Sequence, residues 1–348
     1  MAKPLQTEMR MSDTTRSAVP GLWIISLLIA ILCGALALDM PVLNDLVFRV
    51  ATMMILGTSW NLMANSGLVS LGHSAYWGVG SYACVLVVNR TGYPLTLGIA
   101  AAIVAGAVVG AILIFATARL RGFFFAVCTL GLSESLRVCA LMLTGVTGGA
   151  VGIFVGETAR PHLKLLFFVS VLLAGVCILI AHWLSHSRYH YAWRAIRNQE
   201  SAAKMLGLDP RPYRYAVVTL AGAMASIGGA LTALYTGYID PAIAFSLRIT
   251  IESQIAPILG GMYTVAGPVV GAFAIVGLSE LTRILFGANE GVGQLIFGAL
   301  LVLSILVMPM GIYGLWTGKP LAIVSRLRSR FAMQATPIEA TRLEERSP

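Results

Sequence analysis

The chain has 348 residues, 57% of them hydrophobic and only 11% charged. A soluble domain carries about 25% charged residues, so this chain lacks the means to clothe a water-facing surface, and lipid must solvate much of it. The formal charge of +9 does not point to nucleic acid, because the basic residues fall in short polar stretches between apolar runs and form no stripe interleaved with exposed aromatics.

A helix needs about 20 apolar residues to cross the hydrocarbon core. In chain order, runs near that length lie near 21–38, 46–64, 68–88, 95–118, 122–143, 163–184, 215–238, 249–263, 265–286 and 291–311. They are continuous and do not alternate in pieces of about 10 residues, which excludes a membrane barrel. The expected fold is therefore all-α, a polytopic transmembrane bundle of about nine or ten segments. The run at 249–263 is short and polar-flanked, which favours a broken or re-entrant helix over a full span. The expected organisation is an N-terminal tail over 1–20, a membrane domain over 21–316 with a polar loop at 185–214, and a basic tail over 317–348.

The first run has two readings. Lys3, Arg10 and Arg16 precede it, and Ala35-Leu36-Ala37 resembles a signal-peptidase site. A signal h-region is only about 7–15 residues long, so a retained helix is favoured. With the N-terminus in the cytoplasm and every run a crossing, most of the basic residues fall on the inner side. Arg119 and Arg121, the loop arginines 188, 194, 197, 211 and 214, Lys204 and the tail from Lys319 to Arg346 all do so. This is the positive-inside bias of a multi-pass inner-membrane protein with both termini cytoplasmic. Gly106 with Gly110, and Gly267 with Gly271, are GxxxG pairs that let helix backbones approach closely in lipid.

No catalytic set stands out. Cys33, Cys84, Cys128, Cys139 and Cys177 lie singly in apolar runs and read as buried small hydrophobes. His182, His186 and His190 share a spacing of four but sit at a basic edge without an HExxH pattern, so no metal is expected. Gly314 to Pro320 approximates a phosphate loop, but it is one residue short between its glycines and has Pro320 where Ser or Thr should hold magnesium.

The polar loop is the most informative stretch. Glu200 to Gly207 is a short helix former ended by glycine and flanked by arginines. It suits docking into a cytosolic partner's groove, and equally a solvated loop that only fixes topology. Glu200-x-Ala202-Ala203-x-x-x-Gly207, preceded by Trp193-Arg194-Ala195-Ile196-Arg197, resembles the EAA motif of ABC importer permeases. The stretch from Gly67-Leu68-Val69-Ser70-Leu71-Gly72-His73-Ser74-Ala75-Tyr76-Trp77-Gly78 through Tyr82, and that from Arg119-Leu120-Arg121-Gly122-Phe123-Phe124-Phe125 through Leu130 and on to Glu134 and Arg137, are similar to signatures of branched-chain amino acid permeases. Leu259-Gly260-Gly261 and Gly267-Pro268-Val269-Val270-Gly271 fit the same family, and Ser70-Leu71-Gly72-His73 its LivM-type branch. Phe124 stands where the family often has Tyr.

The resemblance implies a non-enzymatic permease for branched-chain or related small amino acids, embedded in membrane lipid. Its partners would be a sister permease, two cytosolic ATPase subunits that bind ATP and magnesium, and an extracytoplasmic binding protein. Glu200, Ala202, Ala203, Gly207, Arg194 and Arg197 would couple it to the ATPases. The chain itself would hold no cofactor.

Polar residues inside the runs are candidates for the translocation path. Glu134 and Arg137 are three apart on one helical face; a mid-membrane charge costs about 2.5–3.5 kcal/mol, so such charges pair and mark function. That pair either braces the bundle or lines the path. His73 and Ser70 sit where Gly67, Gly72, Gly78 and Gly80 loosen a helix, and broken helices expose groups that bind a zwitterion. Asn61 is a weaker candidate, with an interhelical hydrogen bond the simpler reading. Three other functions stay open: a stand-alone secondary transporter, a permease for urea or short amides, and an intramembrane enzyme built on His73 with Ser70 or Ser74.

Overall fold

The computed structural model describes residues 41–91, 95–117, 120, 122–156 and 161–286, with isolated positions at 295, 298, 299, 302 and 312. The run near 21–38, nearly all of that near 291–311, both tails (1–20 and 317–348), Arg119, Arg121 and the stretch from Gly314 to Pro320 lie outside the described residues.

The elements in order are α1 (Pro41–Asn65), α2 (His73–Thr91), α3 (Leu95–Thr117), α4 (Phe123–Met142), α5 (Leu163–Ser185), α6 (Arg188–Asn198), α7 (Glu200–Met205), α8 (Pro210–Thr236), α9 (Leu247–Gly260) and α10 (Gly267–Phe286). Among the described residues, seven helical stretches are long and apolar enough to cross a membrane. Strand structure there is one antiparallel pair of two-residue strands, β1 (Ile153–Phe154) and β2 (Tyr238–Ile239). The all-α membrane bundle read from the apolar runs is the observed class.

Several boundaries differ: α1 begins at Pro41 where the run begins near 46, and three further differences bear on the site. The run near 68–88 becomes helical only at His73, because residues 66–72 are non-helical. The run near 215–238 begins earlier, at Pro210, whose ring suits the first helical position while Asp209 caps the end by accepting from Arg211 N. The segment ahead of 263 is broken, as its shortness suggested: a helical turn at Pro241–Ala244 stops at Phe245, and α9 restarts at Leu247 and runs only 14 residues.

The core forms around α8, which packs on α1, α2 and α3. Its contact with α3 is backbone against backbone. A Cβ on Gly106 would lie 2.4 Å from the Gly222 carbonyl oxygen, and one on Gly222 would lie 2.5 Å from that of Gly106. No side chain fits at either position, so the GxxxG pair of α3 is a packing surface. Gly271 does the same between α10 and α9, where a Cβ would meet the Ala256 carbonyl oxygen at 1.7 Å.

Loops gather at two opposite ends of the bundle. At one, Tyr235 donates to Asp45 (2.8 Å), Asn89 donates to the Phe154 carbonyl (2.9 Å) and β1 pairs with β2. At the other, Trp193 donates to the Tyr213 carbonyl (3.1 Å) and Arg197 lies over Tyr263.

Candidate functional site

The segment between α1 and α2 places a helix start inside the protein. Gly67 has φ +81, and a Cβ there would crowd the Arg197 Cα at 3.2 Å. Gly72 leaves even less room, since a Cβ would fall 2.0 Å from the Thr129 carbonyl oxygen. The first N–H groups of a helix have no intrahelical partner. Here side-chain hydroxyls serve the backbone around the start of α2. Leu71 N donates to Thr129 Oγ1 (2.9 Å), Gly72 N to Ser70 Oγ (3.2 Å) and Ser74 N to Thr250 Oγ1 (3.2 Å). The Ser74 hydroxyl bridges Ser133 (2.7 Å) and Thr250 (2.9 Å), tying α2 to α4 and α9. Trp60 Nε1 donates to the Ser70 carbonyl at 3.0 Å.

His73 is the first residue of α2 and fully buried, with its ring edge-on to Tyr76 at 5.5 Å. Neither of its ring nitrogens, nor the Tyr76 hydroxyl, has a hydrogen-bond partner among the described residues. An unmade hydrogen bond at a buried polar atom costs about 1–3 kcal/mol, so these groups sit there at the expense of stability.

The five path candidates separate into three places. Ser70 and His73 share the break before α2. Glu134 and Arg137 pair with one another on α4, with Arg137 Nε 3.0 Å from each carboxylate oxygen, and both reach the outer surface of the helix. Asn61 lies at the end of the bundle where Trp193, Arg197 and Tyr263 meet. It donates to the Thr264 carbonyl (2.8 Å) and accepts from Tyr263 N (2.9 Å), pinning the α9–α10 turn to α1. With Asn65, His190, Trp193 and Tyr263 it lines a small cleft.

The polar loop folds as two helices. α6 buries Ala192, Trp193 and Ile196 and leaves Arg194 exposed. α7 buries Ala203, half-buries Ala202 and ends at Gly207, whose φ of +82 turns the chain so that the Leu208 N–H reaches back to the Ala203 carbonyl at 3.0 Å. Glu200 turns inward: Arg214 Nη2 donates to it at 2.9 Å and Lys204 Nζ lies 3.0 Å away. The outward tip of the loop is Met205, 90% exposed, and Leu206, 81% exposed. Burial, reinforced by Arg194, Arg197 and His186, pushes the His190 imidazole below its ordinary value and keeps it neutral.

Arg214 and Tyr263 were not singled out from sequence. Arg214 counted only as one of many topology charges. The signal for Tyr263 is local, a bulky residue just after Gly260-Gly261, and it adopts φ +68 in the turn. Among the described residues no three His, Cys, Asp or Glu side chains come together as metal ligands would.

Apolar spans packed through glycine, a helix that starts inside the bundle and a basic two-helix loop at one end define a polytopic α-helical membrane protein. A family model described as branched-chain amino acid transport system / permease component matches residues 42–305, and the chain belongs to that family. It is 28% identical over 288 residues to the high-affinity branched-chain amino acid transport system permease protein LivM of Escherichia coli K12, covering 74% of this chain and 67% of that protein. It is 24% identical over 274 residues to LivH of the same organism, covering 71% and 86%. The fold is similar to a chain of PsaBC from Streptococcus pneumoniae, with TM-score 0.50 and 15% identity over 83% of this chain and all of that one.

Proposed function

We propose that this chain is one transmembrane subunit of an ATP-driven importer that carries branched-chain or related small amino acids across the inner membrane. A sister permease forms the other half of the path, and an extracytoplasmic binding protein delivers the solute. Two cytosolic ATPase subunits hold ATP and magnesium and drive the cycle through α6 and α7. Both termini and this loop face the cytoplasm.

One observation carries the reading. The loop has the build of a handle: Glu200 is latched to Arg214 beneath it, Met205 and Leu206 project from its tip, and Arg197 ties it to the α9–α10 turn. Two large exposed apolar side chains at the end of a charged loop suit insertion into a partner's groove. Arg194 adds an exposed cation on α6, while Ala202, Ala203 and Gly207 set the compact shape of the knob. Ser70 and His73 belong to the path, at a helix start that presents polar groups inside the bundle. Asn61 serves the cytoplasmic mouth.

The test is co-purification. The tagged chain should retain its ATPase subunits, and the double variant Met205→Glu, Leu206→Glu should insert normally but lose them. Full retention by the variant would remove the docking assignment. A cysteine introduced as Lys204→Cys should react with an impermeant thiol reagent from the cytosolic side only, and reaction from outside would overturn the orientation.

A further inference from the structure

The outer surface of α4 differs from those of α3 and α5, and its Glu–Arg pair is more open at the carboxylate than Glu280–Arg283 on α10, where the Glu280 side chain is 17% exposed. Phe124, Val127, Gly131, Glu134, Ser135, Val138 and Met142 form one exposed stripe at helical spacing. Glu134 lies near the middle of this 20-residue helix, about 16 Å from Phe123 at about 1.5 Å per residue. Its side chain is 58% exposed and that of Arg137 is 33% exposed. The exposed surface of α3 carries Val104, Val108, Ile112 and Phe115, and that of α5 carries Leu165, Leu172, Val176 and Leu179. Neither has a charged residue at mid-helix. Those two surfaces suit lipid. A carboxylate halfway along a span does not, because it is too deep to reach the headgroups.

Behind the stripe, the opposite side of α4 holds Thr129 and Ser133, which serve the start of α2. The helix is therefore a thin partition between the buried hydroxyl cluster and an open, charged surface.

We propose that the α4 stripe is a wall of the solute path, and that Glu134 and Arg137 are its binding pair for a zwitterionic amino acid. This rests on the importer reading, with the sister permease as the facing wall. The solute ammonium meets Glu134 and the solute carboxylate meets Arg137. Without solute the two side chains neutralise each other. With solute each exchanges its partner for an opposite charge of the ligand, so no bare charge is left at membrane depth in either state. A solute lacking either charge strands one side chain and is disfavoured.

The experiment uses the complete transporter in proteoliposomes, with leucine as the probe and native cysteines replaced. Val138→Cys should react with a charged, impermeant thiol reagent, and saturating leucine should slow that reaction severalfold. Val108→Cys on α3, the lipid-facing control, should stay unreactive. Arg137→Gln should weaken leucine affinity on the order of ten-fold or more. The labelling arm keeps both charges and so stands even where Arg137→Gln assembles poorly. A Val138→Cys site as inert as Val108→Cys, or reactive but indifferent to leucine, overturns the proposal, as does wild-type affinity in Arg137→Gln. Leucine-sensitive labelling supports it even if uptake proves independent of an ATPase, a result that overturns the importer reading alone.

Discussion

The Arg197 guanidinium lies over the Tyr263 ring, 3.8 Å from its centroid, and so joins the polar loop to the turn between α9 and α10. Asn61 fastens the same turn to α1 through two hydrogen bonds. A displacement of α6 therefore pulls on three helices through one aromatic side chain.

Cation–π contacts of this kind are worth about 0.5–2 kcal/mol. Tyr263→Ala should leave insertion and ATP hydrolysis in place but lower uptake per ATP hydrolysed, and Tyr263→Phe should keep most of it. Paired uptake and phosphate-release assays on the reconstituted complex measure this ratio. An unchanged ratio in Tyr263→Ala would remove the turn from the transmission.

Glu200 and Arg214 form an ion pair at 2.9 Å with side chains only 13% and 11% exposed. Glu200→Gln leaves the Arg214 charge poorly compensated, a loss of about 1–3 kcal/mol. Hydrogen exchange should accelerate across residues 199–214 while α1 and α8 stay protected. Uniform exchange through the whole chain would mean that the latch is not local.

Gly72→Ala should be among the most damaging small substitutions, because its Cβ would meet the Thr129 carbonyl oxygen at 2.0 Å. Overpacking costs about 1–3 kcal/mol and more against backbone. Gly175→Ala, with open space around it, should leave thermal stability in detergent nearly unchanged. Equal melting temperatures for the two variants would contradict the close approach of α4 to the start of α2.

His190 titrates below its ordinary value of 6.5, first because it is buried and then because Arg194, Arg197 and His186 lie near. Its folded-state value is thus below the unfolded one. The stability this contributes is present above the unfolded value and is lost as pH falls below about 6.5. Melting of the wild type should therefore drop more steeply than that of His190→Gln between about pH 7 and 5. Parallel profiles would show that His190 does not carry the effect.

Much of the bundle was legible because lipid imposes a length and an apolar composition on every span. The glycine pairs were legible for a related reason: Gly106 meets Gly222 through backbone alone, so small size at the right spacing is the whole signal. The start of α2 was not, because Leu68, Val69 and Leu71 are apolar yet lie in a non-helical segment. Its geometry is fixed by hydroxyls on Thr129 and Thr250, residues far away in sequence. The loop was recognised as a unit, but the inward turn of Glu200 depends on Arg214 across the bend at Gly207 and Asp209. Tyr263 needs the tertiary approach of α6 to acquire a role, and no local pattern announces it.

The most direct test of the permease reading is leucine accumulation in proteoliposomes by the purified chain, alone and in its complete complex. Uptake should appear only with the sister permease, ATPase subunits, binding protein and ATP together. Accumulation by the single polypeptide with no ATPase present would contradict it.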